Sequence, residues 1–139
     1  RDISTFGGCT AGPAAALENM AIIEEEGLLE NTVAMGDYML DQLNALKDKH
    51  EVIGDVRGKG LFLGAELVAD RASKEPVPEK QVQAVVGDCM AQGVVIGATN
   101  RSIPGFNNTL CYSPALIARK DDIDQIIEAT DKALTKVFG

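Results

Sequence analysis

The chain holds one histidine, His50, and three cysteines, Cys9, Cys89 and Cys111. The cysteines are odd in number, widely spaced and form no CxxC pair. That argues against a zinc site and against a disulfide framework. They read as small apolar residues in a reducing cytoplasm. His50 closes a charged helix end, Lys47-Asp48-Lys49-His50, where it reads as a solvated cation favoured by the helix dipole. A cysteine–histidine or serine–histidine–aspartate centre therefore lacks a promising base. Positive charge is also short. The 13 Lys+Arg stand against 21 Asp+Glu, a net charge of −8. This balance repels phosphate backbones and anionic lipid, which argues against nucleic-acid binding and against a membrane-surface helix. No apolar run approaches the ~18–20 residues that span a bilayer. Signal-peptide pattern, internal repeats and low-complexity tracts are missing too.

What remains is an ordinary globular composition, 45% apolar and 24% charged over 139 residues. It suits one compact core. The start at Arg1 rather than Met reads as a processed chain or a piece of a longer one.

Periodicity gives an order of elements. Leu17, Met20, Ala21 and Ile23 recur at helical steps and predict a buried stripe on a helix over 12–26. A second helix over 28–49 carries Leu29, Val33, Gly36, Met39 or Leu40, Leu43 and Leu46. Val52, Ile53 and Val56 lead into a glycine turn, Arg57-Gly58-Lys59-Gly60, and residues 61–68 read as a buried or half-buried strand. Residues 69–78 read as a loop. A helical stripe follows on Val82, Val85, Val86, Cys89 and Met90, stopped near Gly93. Short strands are expected at 94–96 and 109–112, with loop 97–108 between them. A last amphipathic helix carries Ile123, Ile126, Ile127, Thr130, Ala133, Leu134 and Val137, with Asp121 and Asp122 in its first turn. The order predicts an α+β fold, a small mostly antiparallel sheet covered by helices and preceded by a long helical region.

Three segments invite chemistry. The Arg57–Gly60 loop lacks the spacing of a phosphate loop and precedes a strand instead of a helix, so it reads as a hairpin turn. The opening Ser4-Thr5-Phe6-Gly7-Gly8 sets a hydroxyl and flexible backbone N–H groups before a helix start. That combination suits a phosphate, and equally an ordinary loop with a helix cap. Loop 97–108 carries Arg101 between Asn100 and Ser102, where a guanidinium can grip a carboxylate or sulfonate with two parallel bonds, or simply sit on the surface. No general base accompanies a nucleophile in any of them.

The same residues resemble a known family. Ser4–Gly8 with Ala14–Leu17, then Glu25-Glu26-Gly27-Leu28-Leu29-Glu30-Asn31, then Val56–Leu67, then Leu116-Ile117 with Asp121–Asp124, are similar in order and spacing to the C-terminal portion of class III aminotransferases. These are pyridoxal-phosphate enzymes of fold type I, and the omega branch (taurine–pyruvate and β-alanine–pyruvate enzymes) is the most similar. The resemblance implies that 1–27 ends the large cofactor-binding domain and that 28–139 is the C-terminal small domain. It implies pyridoxal 5'-phosphate as cofactor and Thr5 as a ligand of the phosphate bound by the neighbouring subunit. Arg101 becomes the best candidate for the substrate's acid group. Transfer from an amine donor to a keto acid such as pyruvate, a homodimer or higher homo-oligomer and a cytoplasmic location are implied as well. Cys9-Thr10 stands where many members have His-Pro. No lysine here matches the motif of the one that holds the cofactor, which lies upstream in the family, so the chain alone is expected to be inactive. Two alternatives are a stand-alone α+β metabolite-binding or dimerisation module, and a family member with another reaction (aminomutase, ornithine or 4-aminobutyrate transaminase).

Overall fold

The computed structural model describes residues 5, 7–100 and 103–139. In chain order the elements are α1 (Ala11–Glu25), α2 (Leu28–Lys49), β1 (Ile53–Lys59), β2 (Phe62–Asp70), β3 (Glu75–Pro76), α3 (Glu79–Ala91), β4 (Gly97–Ala98), β5 (Thr109–Tyr112) and α4 (Lys120–Phe138). The sheet runs β1-β2-β5-β4, with β3 beside β2, and every pairing is antiparallel. This is the expected α+β class.

Strand alternation decides where the core sits. Leu63, Ala65 and Leu67 of β2, Leu110 and Tyr112 of β5 and Ile53 of β1 are buried on one face. There they join Met39, Leu43 and Leu46 of α2, Val82, Val85 and Cys89 of α3, and Ile123, Ala133 and Leu134 of α4 in one cluster. The helices thus cover one side of the sheet, α2 over β1 and β2, α3 over β4 and β5, with α4 against α2 and α3. At one point the approach is backbone to backbone. A Cβ on Gly36 would come within 2.4 Å of the Gly60 carbonyl group, in the hairpin turn between β1 and β2. Gly60 itself holds φ +55°, a left-handed conformation that favours glycine.

Several expectations are corrected. The stripe expected to be buried on α1 is not buried. No α1 residue is, and Leu17 and Met20 are 67% and 56% exposed. On α2 the seam begins at Leu28 and runs through Gly36, Met39, Leu43 and Leu46, leaving Leu29 and Val33 exposed. Leu28 lies about three full turns before Met39, whereas Leu29 and Val33 fall to one side of that line. The hairpin turn is shorter and starts three residues later than expected, at Gly60-Leu61, since β1 continues through Arg57 to Lys59, which pairs with Phe62. The loop at 69–78 contains β3. The strand expected at 94–96 forms at Gly97–Ala98 instead. In that register Val94 and Val95 would face residues 114 and 113, beyond the end of β5 at Tyr112, so they have no partner strand. Val94 and Ile96 are nevertheless buried.

His50 is not a free solvated cation. Its side chain is 11% exposed and its Nε2 lies 2.6 Å from Asp131 Oδ1. Lys49 Nζ reaches the other oxygen of Asp131 at 2.6 Å, so the end of α2 is tied to α4. Burial opposes ionisation of Asp131, but the bonds from Lys49 and His50 outweigh it and hold its carboxyl below the ordinary value.

Candidate functional site

The segment before α1 is the first candidate. Thr5 is exposed and in a turn, and Gly7 and Gly8 form the next turn. Gly8 has φ +88° with nothing within 4 Å of a notional Cβ, so the conformation and not crowding calls for glycine. Thr10 precedes α1 with helical backbone angles and makes no side-chain capping bond. The ordinary cap that Thr10 could have supplied is therefore not formed. No acidic residue sits in the first turn of α1, and Pro13 has no N–H to leave unsatisfied. Among the described residues, an uncapped helix start and an exposed threonine hydroxyl beside a left-handed glycine turn offer hydrogen-bond donors, a set that suits an anion such as phosphate.

The second candidate, Arg101, lies outside the described residues, as does Ser102. The ends of its loop are well held. Thr99 N–H donates to the Thr109 carbonyl at 2.9 Å, and Thr109 N–H donates to Thr99 Oγ1 at 3.2 Å. Asn108 is only 3% exposed. Its Nδ2 donates to the Leu67 carbonyl at 2.7 Å, and its own carbonyl accepts from Leu67 N–H at 2.8 Å. Asn107 Nδ2 reaches Glu79 at the start of α3, at 2.6 Å. Both feet of the loop are thus fixed to β2, β5 and α3.

Arg57 behaves as a local structural cation. Its Nη1 lies 2.7 Å from Asp55 Oδ2 and 2.7 Å from Glu66 Oε2, and these bonds, the one to Asp55 first, raise its pKa. None of the eight lysines is buried, and Lys49, Lys132 and Lys136 are paired with Asp131, Glu128 and Asp88. A lysine tuned for covalent chemistry needs desolvation or a neighbouring cation; Lys74 shares a hollow with Arg71, and both side chains are exposed to water. Among the described residues no group of three or more His, Cys, Asp or Glu could hold a metal ion. No helix among them is long and apolar enough to cross a membrane. The three cysteines are free. Cys89 is buried, Cys111 half-buried and Cys9 exposed, and burial raises the thiol pKa of Cys89 and Cys111.

Sequence reasoning missed three polar anchors. Asn31 Nδ2 donates to the carbonyls of Leu116 and Ala118, at 2.7 and 3.0 Å, fixing the segment between β5 and α4 on α2. The Arg71 guanidinium donates to four carbonyls, those of Lys47, His50, Glu51 and Ile53, at 2.5 to 3.1 Å. Asn108 is the third. Each partner is a backbone carbonyl distant in sequence, so no spacing rule reveals it.

Comparison with known proteins places the chain. A family model described as aminotransferase class-III matches residues 2–134. A hypotaurine/taurine–pyruvate aminotransferase of Paracoccus denitrificans is 78% identical over the whole chain, which covers 30% of that enzyme. Among solved structures, a Bacillus anthracis aminotransferase superposes with a TM-score of 0.93 at 39% identity, over 98% of this chain and 30% of its own. An amine transaminase from an uncultivated Pseudomonas species, solved in its PLP-bound form, superposes with a TM-score of 0.86 at 28% identity, over 97% of this chain and 29% of its own. The chain therefore spans about 30% of the length of the relatives it matches.

Proposed function

The chain belongs to the class-III aminotransferase family, and from that premise we propose that it works as the C-terminal part of a longer pyridoxal-phosphate enzyme. That enzyme moves an amino group from an amine or omega-amino acid to a keto acid such as pyruvate. The observation that carries this reading is the family match over residues 2–134, together with 78% identity to an enzyme named for hypotaurine, taurine and pyruvate. We take taurine or hypotaurine as the donor on the strength of that relative.

Each part has a role in this reading. Residues 1–27 finish the large cofactor-binding domain and 28–139 form the small domain. Thr5 donates its hydroxyl to the cofactor phosphate of the neighbouring subunit, in a homodimer or higher homo-oligomer in the cytoplasm. The donor set before α1 fits a phosphate; the residues that hold the ring lie elsewhere in the longer protein. When bound, the cofactor supplies the electron sink for moving the amino group. Arg101 pairs with the sulfonate or sulfinate of the donor and with the carboxylate of the acceptor. Its planar fork matches those oxygens and sets the reacting carbon at a fixed distance from the charge.

The test is a transplant. The last 30% of the Paracoccus enzyme is replaced by this chain, and the purified chimera is given taurine and pyruvate. Alanine is expected to form at a rate within about tenfold of the parent. A folded, cofactor-loaded chimera that transfers no amino group from any amine to pyruvate overturns the reading.

A further inference from the structure

The loop between β4 and β5 leaves the sheet in the same irregular way at both of its feet. In an antiparallel ladder, two opposed residues of a hydrogen-bonded pair exchange both backbone bonds. The register of β4 and β5 sets Thr99 opposite Thr109. Thr99 N–H donates to the Thr109 carbonyl at 2.9 Å, but the return bond from Thr109 N–H ends on the Thr99 hydroxyl oxygen, at 3.2 Å, in place of the Thr99 carbonyl. The register of β2 and β5 sets Asn108 opposite Leu67. Leu67 N–H donates to the Asn108 carbonyl at 2.8 Å, and the return bond to the Leu67 carbonyl comes from Asn108 Nδ2, at 2.7 Å, in place of the Asn108 backbone N–H. Each foot thus keeps one backbone bond and replaces the other with a side chain. The replacement turns the backbone out of the ladder at Thr99 and keeps it out until Asn108. At 3% exposure Asn108 has little water to turn to, so its amide is held to this bond. Arg101 follows Thr99 by two residues. Two residues of chain reach at most about 7 Å, so the point and angle at which Thr99 leaves the sheet limit where the guanidinium can work.

We propose that Thr99 and Asn108 are positioning residues for recognition of the substrate's acid group, an inference that rests on the reading of Arg101 as the partner of that group. By exchanging a side chain for a backbone group at each foot, they set the angle at which the chain bearing Arg101 leaves the sheet. Neither residue touches substrate. A guanidinium pairs with two oxygens of a sulfonate or carboxylate only in a fixed plane, so a tilt of the loop is felt as lost affinity for the acid. Valine at 99 has nearly the shape of threonine and no acceptor. Thr109 N–H then finds the Thr99 carbonyl, the ladder lengthens by one full pair, and the start of the loop is drawn back towards the sheet.

The experiment uses the cofactor-loaded chimera and its variants Thr99→Val, Thr99→Ser, Asn108→Asp and Arg101→Ala. The probe is ethanesulfonate, an acid with no amine to transfer, and its Kd is read by calorimetry beside the Kd for pyridoxal phosphate. Thr99→Val is expected to raise the Kd for ethanesulfonate about tenfold, as for a small misplacement of a binding group. Asn108→Asp is expected to do at least as much, because a carboxylate there faces the Leu67 carbonyl. Thr99→Ser keeps the hydroxyl and the parent Kd. The Kd for pyridoxal phosphate stays within about twofold throughout, and the KM for taurine rises with the probe's Kd while kcat changes less than about threefold. If Asn108→Asp does not fold, the two Thr99 variants decide. Parent affinity in Thr99→Val with a loss in Arg101→Ala overturns the positioning and leaves the role of Arg101 standing. Equal losses in Thr99→Val and Thr99→Ser, or a matching loss of cofactor affinity, overturn it as well. Parent affinity in Arg101→Ala overturns the role of Arg101 and the positioning with it. A chimera that binds the probe as expected but transfers no amino group keeps the positioning and overturns the reaction.

Discussion

Helices α1 and α4 have similar lengths and opposite fates. α4 buries Ile123, Ala129, Thr130, Ala133 and Leu134 and turns acids and lysines outward. α1 buries nothing and packs chiefly along α2, although Ala14, Ala15, Ala16, Leu17, Met20, Ala21, Ile22 and Ile23 make it the more apolar of the two. A helix that is apolar on most sides belongs inside a larger body. The difference separates α2 to α4, which bury one another's apolar faces on their sheet, from a helix that in the proposed reading ends the large domain. Gly27, with φ +60°, stands between α1 and α2.

That contrast can be broken most forcefully at the α2–hairpin seam. Gly36→Val puts side-chain atoms into the backbone of Gly60. A loss of about 3 kcal/mol or more is expected by urea unfolding, the upper end of overpacking costs because backbone cannot step aside cheaply. Next comes Arg71→Ala, which strips four carbonyls of their shared donor. About 1–3 kcal/mol is expected in the same assay. Arg71→Lys restores little of it, since an ammonium lacks the planar fork.

The α2–α4 tie gives a smaller, pH-dependent effect. Asp131 has its folded pKa held below the ordinary 3.8. Its contribution is therefore fully present above that value and lost as pH falls through the folded pKa. Asp131→Asn is expected to lower the urea midpoint at neutral pH and to flatten its fall below about pH 4. A parallel fall in the two proteins contradicts the tie. The smallest effect is expected on α1. Leu17→Ser with Met20→Ser leaves the chain's own stability within about 0.5 kcal/mol, as for surface positions. In the transplant the same pair weakens cofactor loading or assembly.

Much of the layer was legible in the sequence because its signals are local. The apolar run 61–68 bounded by turn residues and the stripes on α3, Met90 apart, and α4 each depend on a short window. What failed depended on distant partners. Val94–Ile96 has a strand-like pattern, but the strand that would pair with Val94 and Val95 ends at Tyr112. The stripe on α1 was real and its burial was not, since periodicity says that a face is apolar and not what covers it. His50 was misread for the same reason, its carboxylate lying on α4. Of the two site residues named from sequence, Thr5 lies on an exposed turn before an uncapped helix, and Arg101 lies outside the described residues. Both came from residue chemistry and family likeness; no local pattern could give their partners.

The most direct measurement is cofactor affinity in the transplant carrying Thr5→Ala, with Thr5→Ser beside it. Loss of one hydroxyl bond to a phosphate is worth about ten- to a hundredfold in affinity. The account predicts that the Kd for pyridoxal phosphate rises by that factor in Thr5→Ala and recovers in Thr5→Ser. An active transplant whose Kd is the same in all three proteins contradicts it.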